Sequence, residues 1–198
     1  MRKTSLYCGV LALLICLVPP LFGVETKGHK PVVPLSGPGK YDSAIAQVTS
    51  QIMEKFHYLQ HPLDNEMSSR FLDRYLSALD NQHLFFLESD RKEFEAYRTT
   101  LDDLTAKTGD LSPAFIVFRR FRERLEQQYD YVNQMLAAGK FEFTGNEQYE
   151  INRRKAAPPK DMADAKRIWR DRLRSEYLEQ KLRDEKPEEI VKALKRRY

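Results

Sequence analysis

The segment LDNQHLFFLESDRKEF, residues 79–94, lies between two helical patterns, at a place where a polar turn is expected. It carries four consecutive apolar residues instead, from Leu84 to Leu87. Burial of one Phe or Leu side chain stabilises a fold by about 1.5–3 kcal/mol, so this connection is expected to pack against other elements. Two roles are open for it: closing the hydrophobic core, or forming a docking clamp for a partner. The residues concerned are Phe85, Phe86, Leu87, Asp90 and Phe94.

Two helices are predicted before this connection. Apolar residues recur every three to four positions from Asp42 to about Tyr58, and Pro62 lies just beyond the end of that pattern. Asp64 is a suitable cap for a second helix that runs to about Leu79. The first helix has one clearly apolar face, formed by Ile45, Val48, Ile52 and Phe56.

The third helix is predicted to begin near Ser89 or Asp90, because Asp90 and Glu93 have the spacing of a capping box. Its apolar residues continue to Leu104, and Gly109 follows its end. The third helix is therefore expected to be one continuous element.

The fourth helix has the strongest pattern in the chain, opened by Ser112-Pro113 and closed by Gly139. Arginines 119, 120, 122 and 124 lie beside its apolar stripe, which predicts a core face with a solvated basic flank. The stripe consists of Phe115, Phe118, Phe121, Leu125, Tyr129, Val132 and Leu136.

Two further helices are predicted, from about Asp161 to Arg183 and from Pro187 to the last residue. Between residues 140 and 157 the helical period is lost, and a short strand or a docked loop both fit that segment. The predicted fold class is all-α, an irregular bundle of five to six helices that follows a signal peptide.

The first residues form a separate unit. Arg2 and Lys3 precede a short apolar run that two prolines interrupt, which is typical of a secretory signal. The predicted organisation is a signal peptide over 1–23, a flexible lead-in over 24–40 and a helical domain over 41–198. Export to the periplasm is expected, with attachment to the inner membrane as the alternative if the signal is not cleaved. Both cysteines, Cys8 and Cys16, belong to this first segment.

The composition disfavours several other functions. The formal charge is only +4, from 33 basic and 29 acidic residues, and Arg2 and Lys3 supply part of it, so no nucleic-acid partner is predicted. His57 and His61 have the i, i+4 spacing of zinc ligands but lack the glutamate of HExxH, so no metal and no cofactor are predicted. His83 in the connection is expected to make a satisfied hydrogen bond. Gly-bearing nucleophile turns and phosphate loops are absent from the sequence, so no catalytic residue is predicted.

The order of motifs resembles the N-terminal region of tail-specific proteases, also called carboxy-terminal processing peptidases. The resemblance covers residues 40–198 and includes FLDRYLSALD, IWRDRLRSEYLEQKL and EEIVKALKRRY. In the connection the matching residues are Leu79, Asp80, Phe85, Phe86, Leu87, Asp90 and Phe94.

The resemblance implies a helical domain that precedes a PDZ domain and a protease core with a serine–lysine dyad. Such enzymes act in the periplasm on exported proteins that present a suitable C-terminal tail, and the helical domain helps to enclose substrate and can dock an adaptor. The expected partners are therefore the PDZ and protease domains of the same enzyme, an adaptor and exported protein substrates, with the membrane contacted only through the signal segment. The alternative is a stand-alone exported adaptor or envelope interaction protein.

Overall fold

The structure is a computed structural model that describes residues 37–59, 61–145 and 148–198. The predicted signal peptide and most of the lead-in lie outside these residues. The described ranges contain six α-helices and no β-strand, which confirms the all-α prediction, and residues 140–145 and 148–157 follow a loop path. No helix among the described residues is long and apolar enough to cross a membrane. The helices are α1 (Asp42–Phe56), α2 (Asn65–Leu79), α3 (Glu88–Phe94), α4 (Ser112–Ala138), α5 (Met162–Lys181) and α6 (Pro187–Arg197).

Local sequence accounts for three of the helix ends. The Asp64 carboxylate accepts a hydrogen bond from the Met67 N–H at 3.0 Å, as predicted, and Asp161 caps α5 through the Asp164 N–H at 2.9 Å. Gly139 ends α4 with φ of 62°, a left-handed conformation that glycine adopts without steric cost. These caps fix where α2, α4 and α5 begin or end.

The prediction of one continuous third helix was wrong. After α3 the chain forms a 3-10 turn at Glu95–Tyr97 and a π-helix at Asp102–Lys107. At the start of the π-helix, the Asp102 N–H donates to the Ser68 hydroxyl at 2.8 Å. The Ser68 hydroxyl in turn donates to the Asp102 carboxylate at 2.6 Å, so this buried pair joins α2 to the π-helix.

Three groups of buried side chains form the core. The first lies among α2, α3, α4 and the connection, the second among α4, α5 and α6, and the third, Leu87 with Ala165 and Trp169, involves the connection and α5. All of these residues lie between Leu72 and Leu194. The first group is Leu72, Leu76, Phe86, Phe94 and Val117, and the second is Val132, Leu136, Leu173, Tyr177, Ile190 and Leu194.

The predicted division of α4 into a core stripe and a solvated basic flank was partly wrong. Val132 and Leu136 are buried as expected, but Leu125 is 41% exposed. Arg124 and Gln128 are buried in its place. The buried face of α4 is therefore polar in the middle and apolar toward both ends.

The apolar face predicted for α1 exists, but it does not enter the core, because no residue of α1 is buried. The opposite side of α1 lies against the π-helix, where the Gln47 side-chain amide donates to the Lys107 carbonyl at 2.9 Å. The approach is close at Gly109, whose φ is 72°: a side-chain carbon there would lie 2.8 Å from the Ser43 carbonyl oxygen. Glycine at this position thus allows α1 to pack against the domain.

We predict that Phe86→Ala lowers the free energy of unfolding by about 3–5 kcal/mol, because the ring is fully buried and its removal leaves a cavity. The matched control is Phe56→Ala, at a ring that is 78% exposed, which is expected to change stability by less than about 1 kcal/mol. Urea denaturation of the two variants measures both values. Equal losses would contradict the placement of Phe86 in the core.

Candidate functional site

The connection between α2 and α3 is held at its first end by one carboxylate. Asp80 follows the last turn of α2 and is almost completely buried. One of its oxygens accepts the Leu84 N–H at 2.8 Å, and the other accepts the N–H groups of Phe85 and Phe86, both at 3.0 Å. These three N–H groups belong to a segment outside the regular helices, so the carboxylate provides the partners that a helix would otherwise supply.

Because the backbone folds in this way, the apolar side chains of the connection pack against different neighbours. Phe86 is completely buried, and its ring meets that of Phe94 edge to face, with 5.4 Å between the centroids. Leu87 packs with Trp169 in the third core group. Phe85 is half-buried and lies edge-on to Phe121 at 5.2 Å. Phe85 is therefore the member of the segment with the most remaining access to solvent.

Asp90 holds the other end of the connection. The helix α3 begins at Glu88, next to the predicted start near Ser89, but Asp90 is its third residue and not its N-cap: the Asp90 side chain accepts the Leu87 N–H at 3.0 Å. Arg124 donates to both Asp90 oxygens at 2.8 Å, and Arg120 makes a further short ion pair with the same group. A paired fork of this kind is among the stronger charge-assisted contacts in proteins.

The Asp90 carboxyl is completely buried, and this burial acts to raise its pKa. The hydrogen bonds from Arg124, the Leu87 N–H and Arg120 outweigh that effect, so the pKa lies below the ordinary value for aspartate. The carboxylate therefore stays ionised. Arg120 and Arg124, which were expected in the solvated flank of α4, are paired with it.

The connection also contacts α5 and the loop that precedes it. The Trp169 indole N–H donates to the Leu84 carbonyl at 2.6 Å, and the Glu88 N–H donates to the Pro159 carbonyl at 2.9 Å. His83 has φ of 50° and forms a hydrogen bond with the Ala156 carbonyl, which is the satisfied contact expected from the sequence. Loop and connection thus fix each other's position.

A second feature is an apolar cavity of about 600 Å³. It is lined by one side of α1, by α2, by the π-helix and by the first turn of α4. This volume is within the range of sites that bind small molecules or the side chains of a partner. Periodicity could not predict it, since it arises where α1 stands away from α2. Its apolar lining includes Met53, Leu63, Met67, Phe71, Tyr75 and Leu101.

His57 and His61 lie at this cavity but do not form a shared helical pair. The helix α1 ends at Phe56, and His57 has ψ of 139°, so the i, i+4 geometry is lost. Each imidazole makes a local contact, His57 with the Leu59 N–H and His61 with the Pro62 carbonyl. Among the described residues there is no group of three or more side chains suited to hold a metal ion.

The buried Ser68–Asp102 pair places a hydroxyl beside a carboxylate. The hydroxyl already donates to the Asp102 carboxylate and accepts from the Asp102 N–H. An activated serine needs a base that removes its proton toward a substrate and a place for the substrate's oxyanion. Ser68 is enclosed between α2 and the π-helix, so its role is to join these elements.

These features define a helical domain with an interlocked connection and an adjoining apolar cavity. The sequence model of a family described as tail specific protease N-terminal domain matches residues 49–198, and the chain belongs to that family. The chain is also similar to the tail-specific protease of Haemophilus influenzae, with 35% identity over 156 residues. The aligned part is 78% of this chain but only 22% of that protein, so the chain spans about a fifth of its relative. The resemblance stated from the motifs is thereby confirmed.

We predict that Asp90→Asn lowers the free energy of unfolding by about 3–5 kcal/mol at neutral pH, because Arg124 is left buried without its charge partner. The depressed pKa of Asp90 contributes stability at pH above the unfolded value of about 3.9. That contribution is lost as the pH falls through the lower, folded value.

The difference in unfolding free energy between wild type and Asp90→Asn should therefore shrink as pH falls below about 4. Denaturation at a series of pH values measures it, with Asp130→Asn on the exposed side of α4 as the control. A difference that stays constant down to strongly acidic pH would contradict the ionised, arginine-paired state of Asp90.

Proposed function

We propose that this chain is the non-catalytic, substrate-enclosing and partner-docking domain of an exported serine-type tail-specific endopeptidase. Family membership supports the connection with proteolysis. The observation that carries the domain's role is the apolar cavity beside α1 and α2. This cavity is a binding feature, and none of the residues that line it is arranged as a catalytic nucleophile. In this proposal the chemistry of peptide cleavage is supplied by a PDZ and protease region with a serine–lysine dyad.

A docking domain must keep its shape when substrate or a partner domain pushes against it. The connection at residues 80–90 suits that requirement, because Asp80 and Asp90 fix its backbone and Trp169 fixes it to α5. The half-buried Phe85 and the cavity are then presented by a rigid body. We propose that Phe85 contributes to docking, while Phe86, Leu87, Asp90 and Phe94 maintain the core beneath it.

The proposed location is the periplasm, with the signal peptide over residues 1–23 removed and Val24 as the first residue of the mature chain. If the signal is retained, the domain is attached to the inner membrane through it. Support for export comes from the basic start and the short apolar run of the sequence. Mass measurement of the protein purified from a periplasmic fraction distinguishes the two forms.

A stand-alone exported adaptor is the second candidate, and the cavity together with the exposed face of α1 favours a binding function of that kind as well. The nucleotide sequence that follows the codon for Tyr198 separates the candidates. A PDZ and protease reading frame there supports the endopeptidase, and a stop codon followed by unrelated sequence supports the adaptor.

We predict that purified residues 37–198 leave a model protein with an apolar C-terminal tail uncut, because the described residues place no activated nucleophile at the cavity. Incubation followed by mass spectrometry of the substrate detects any cleavage. The matched control is the Ser68→Ala variant, which should be as inactive as wild type. Cleavage by wild type that Ser68→Ala abolishes would overturn the non-catalytic role.

A further inference from the structure

Asp102 is a buried carboxylate at the apolar cavity, and most of its hydrogen-bonding capacity is unused. It is only 7% exposed and lines the cavity from the π-helix. One of its oxygens accepts the Ser68 hydroxyl at 2.6 Å. The other accepts no hydrogen bond from any residue that the structure describes, although an ionised carboxylate has about four acceptor positions. Protein atoms do not enclose this second oxygen completely, so a molecule in the cavity can reach it.

The two other buried aspartates in the described part of the chain have all the partners that their charge needs. Asp80 accepts three backbone N–H groups. Asp90 accepts one N–H and pairs with Arg120 and Arg124. A buried carboxylate without such partners is costly in apolar surroundings. Asp102 is therefore the buried carboxylate that still lacks a donor or a positive charge.

The protein's own cations at the cavity do not supply that charge. Arg70 is the only Lys or Arg among the described residues that line the cavity. Its side chain is 67% exposed, and its guanidinium pairs with Glu66 at 2.6 Å. His57 and His61 form their hydrogen bonds with backbone atoms of the segment between α1 and α2. The donor that Asp102 lacks is thus one that a bound molecule brings.

The rest of the lining suits the apolar part of such a molecule. Phe71, Tyr75 and Tyr97 contribute aromatic rings, and the faces of such rings attract organic cations. Met53 and Met67 add flexible side chains that adapt to irregular apolar shapes. The cavity volume of about 600 Å³ is typical of sites that hold a small molecule.

We propose that the cavity binds a small amphipathic amine, which is an ammonium group attached to an apolar chain or ring. The ammonium donates an N–H to the uncommitted oxygen of Asp102, and the apolar part packs against the aromatic and methionine side chains of the lining. This inference rests on the binding role proposed for the cavity, and it does not depend on the proteolytic role of the longer enzyme.

Isothermal titration calorimetry of the purified chain tests the preference with three probes that share one chain length: octylammonium, octanol and octanoate. Octylammonium should bind at least about tenfold more tightly than octanol, because its hydrogen bond to Asp102 also carries a positive charge, and octanoate should bind most weakly. Equal affinities for octylammonium and octanol would overturn the amine preference and leave the binding role of the cavity standing. Binding of none of the three probes would overturn both.

A matched pair of variants tests whether Asp102 is the group that recognises the ammonium. Asp102→Asn keeps an oxygen for the Ser68 hydroxyl but removes the charge, so octylammonium should lose its advantage over octanol. Asp103→Asn is the control, since Asp103 is exposed, pairs with Lys107 and does not line the cavity. The advantage should persist in this control. An advantage that survives Asp102→Asn, or that Asp103→Asn removes to the same extent, would overturn the assignment.

A second pair of variants tests the location, and it decides the question even if Asp102→Asn does not fold. Ala46 lines the cavity from α1, whereas Ala44 is exposed and lies outside the lining. Ala46→Trp fills the cavity and should weaken octylammonium binding at least about tenfold, while Ala44→Trp should leave it unchanged. Circular dichroism checks that both variants are folded. Octylammonium binding that Ala46→Trp does not alter would place the amine elsewhere and overturn the proposal.

Discussion

The fold depends on two buried carboxylates that make it possible to bury a connection outside the regular helices. Backbone N–H groups cannot be moved out of water without a hydrogen-bond partner, and the segment from Leu84 to Leu87 has no helical carbonyls to use. Asp80 accepts three of its N–H groups and Asp90 accepts the fourth. Only with these bonds made can Phe86 and Leu87 enter the core.

Each buried carboxylate also needs hydrogen-bond donors or positive charges to stabilise its own charge. Asp80 receives three N–H donors, and Asp90 receives one N–H together with the forked side chain of Arg124 and the end of Arg120. Breaking such a buried pair costs more than the pair contributes, because the remaining charge is left without a partner. This explains why the middle of α4 carries polar residues on its buried face. The pairing of Asp90 with these arginines also connects α3 to α4.

Much of the helix layout follows from local chemistry that can be read in the sequence. Asp64, Asp161 and Gly139 have the residue types that helix ends require, and the structure uses them there. Asp90 shows what the local sequence does not predict. Its type and spacing indicated the first residue of α3, but it lies inside the helix and accepts the N–H of Leu87. The contact between Ser68 and Asp102, which joins α2 to the π-helix, was not predictable from periodicity either, because the two residues lie 34 positions apart.

Apolar periodicity identifies a helix face but not what that face packs against. In α4 the apolar periodicity predicted that Leu125 would be buried, whereas Arg124 is buried instead. The pattern of apolar residues does not show that an arginine pairs with an aspartate far away in the sequence. In α1 it found the correct stripe, yet the stripe faces solvent. The cavity beside α1 depends on the separation of two helices, and the sequence of neither one encodes that distance alone.

Native-state hydrogen exchange tests most directly whether the two carboxylates hold the connection as part of the global fold. The N–H groups of Leu84 and Phe86 should exchange with the same opening free energy as that of Val132 in the core of α4, because they are released only on global unfolding. Exchange of Leu84 and Phe86 through a much smaller opening, while Val132 stays protected, would show that the connection is a separate, labile segment. That result would contradict the dependence of the whole fold on Asp80 and Asp90.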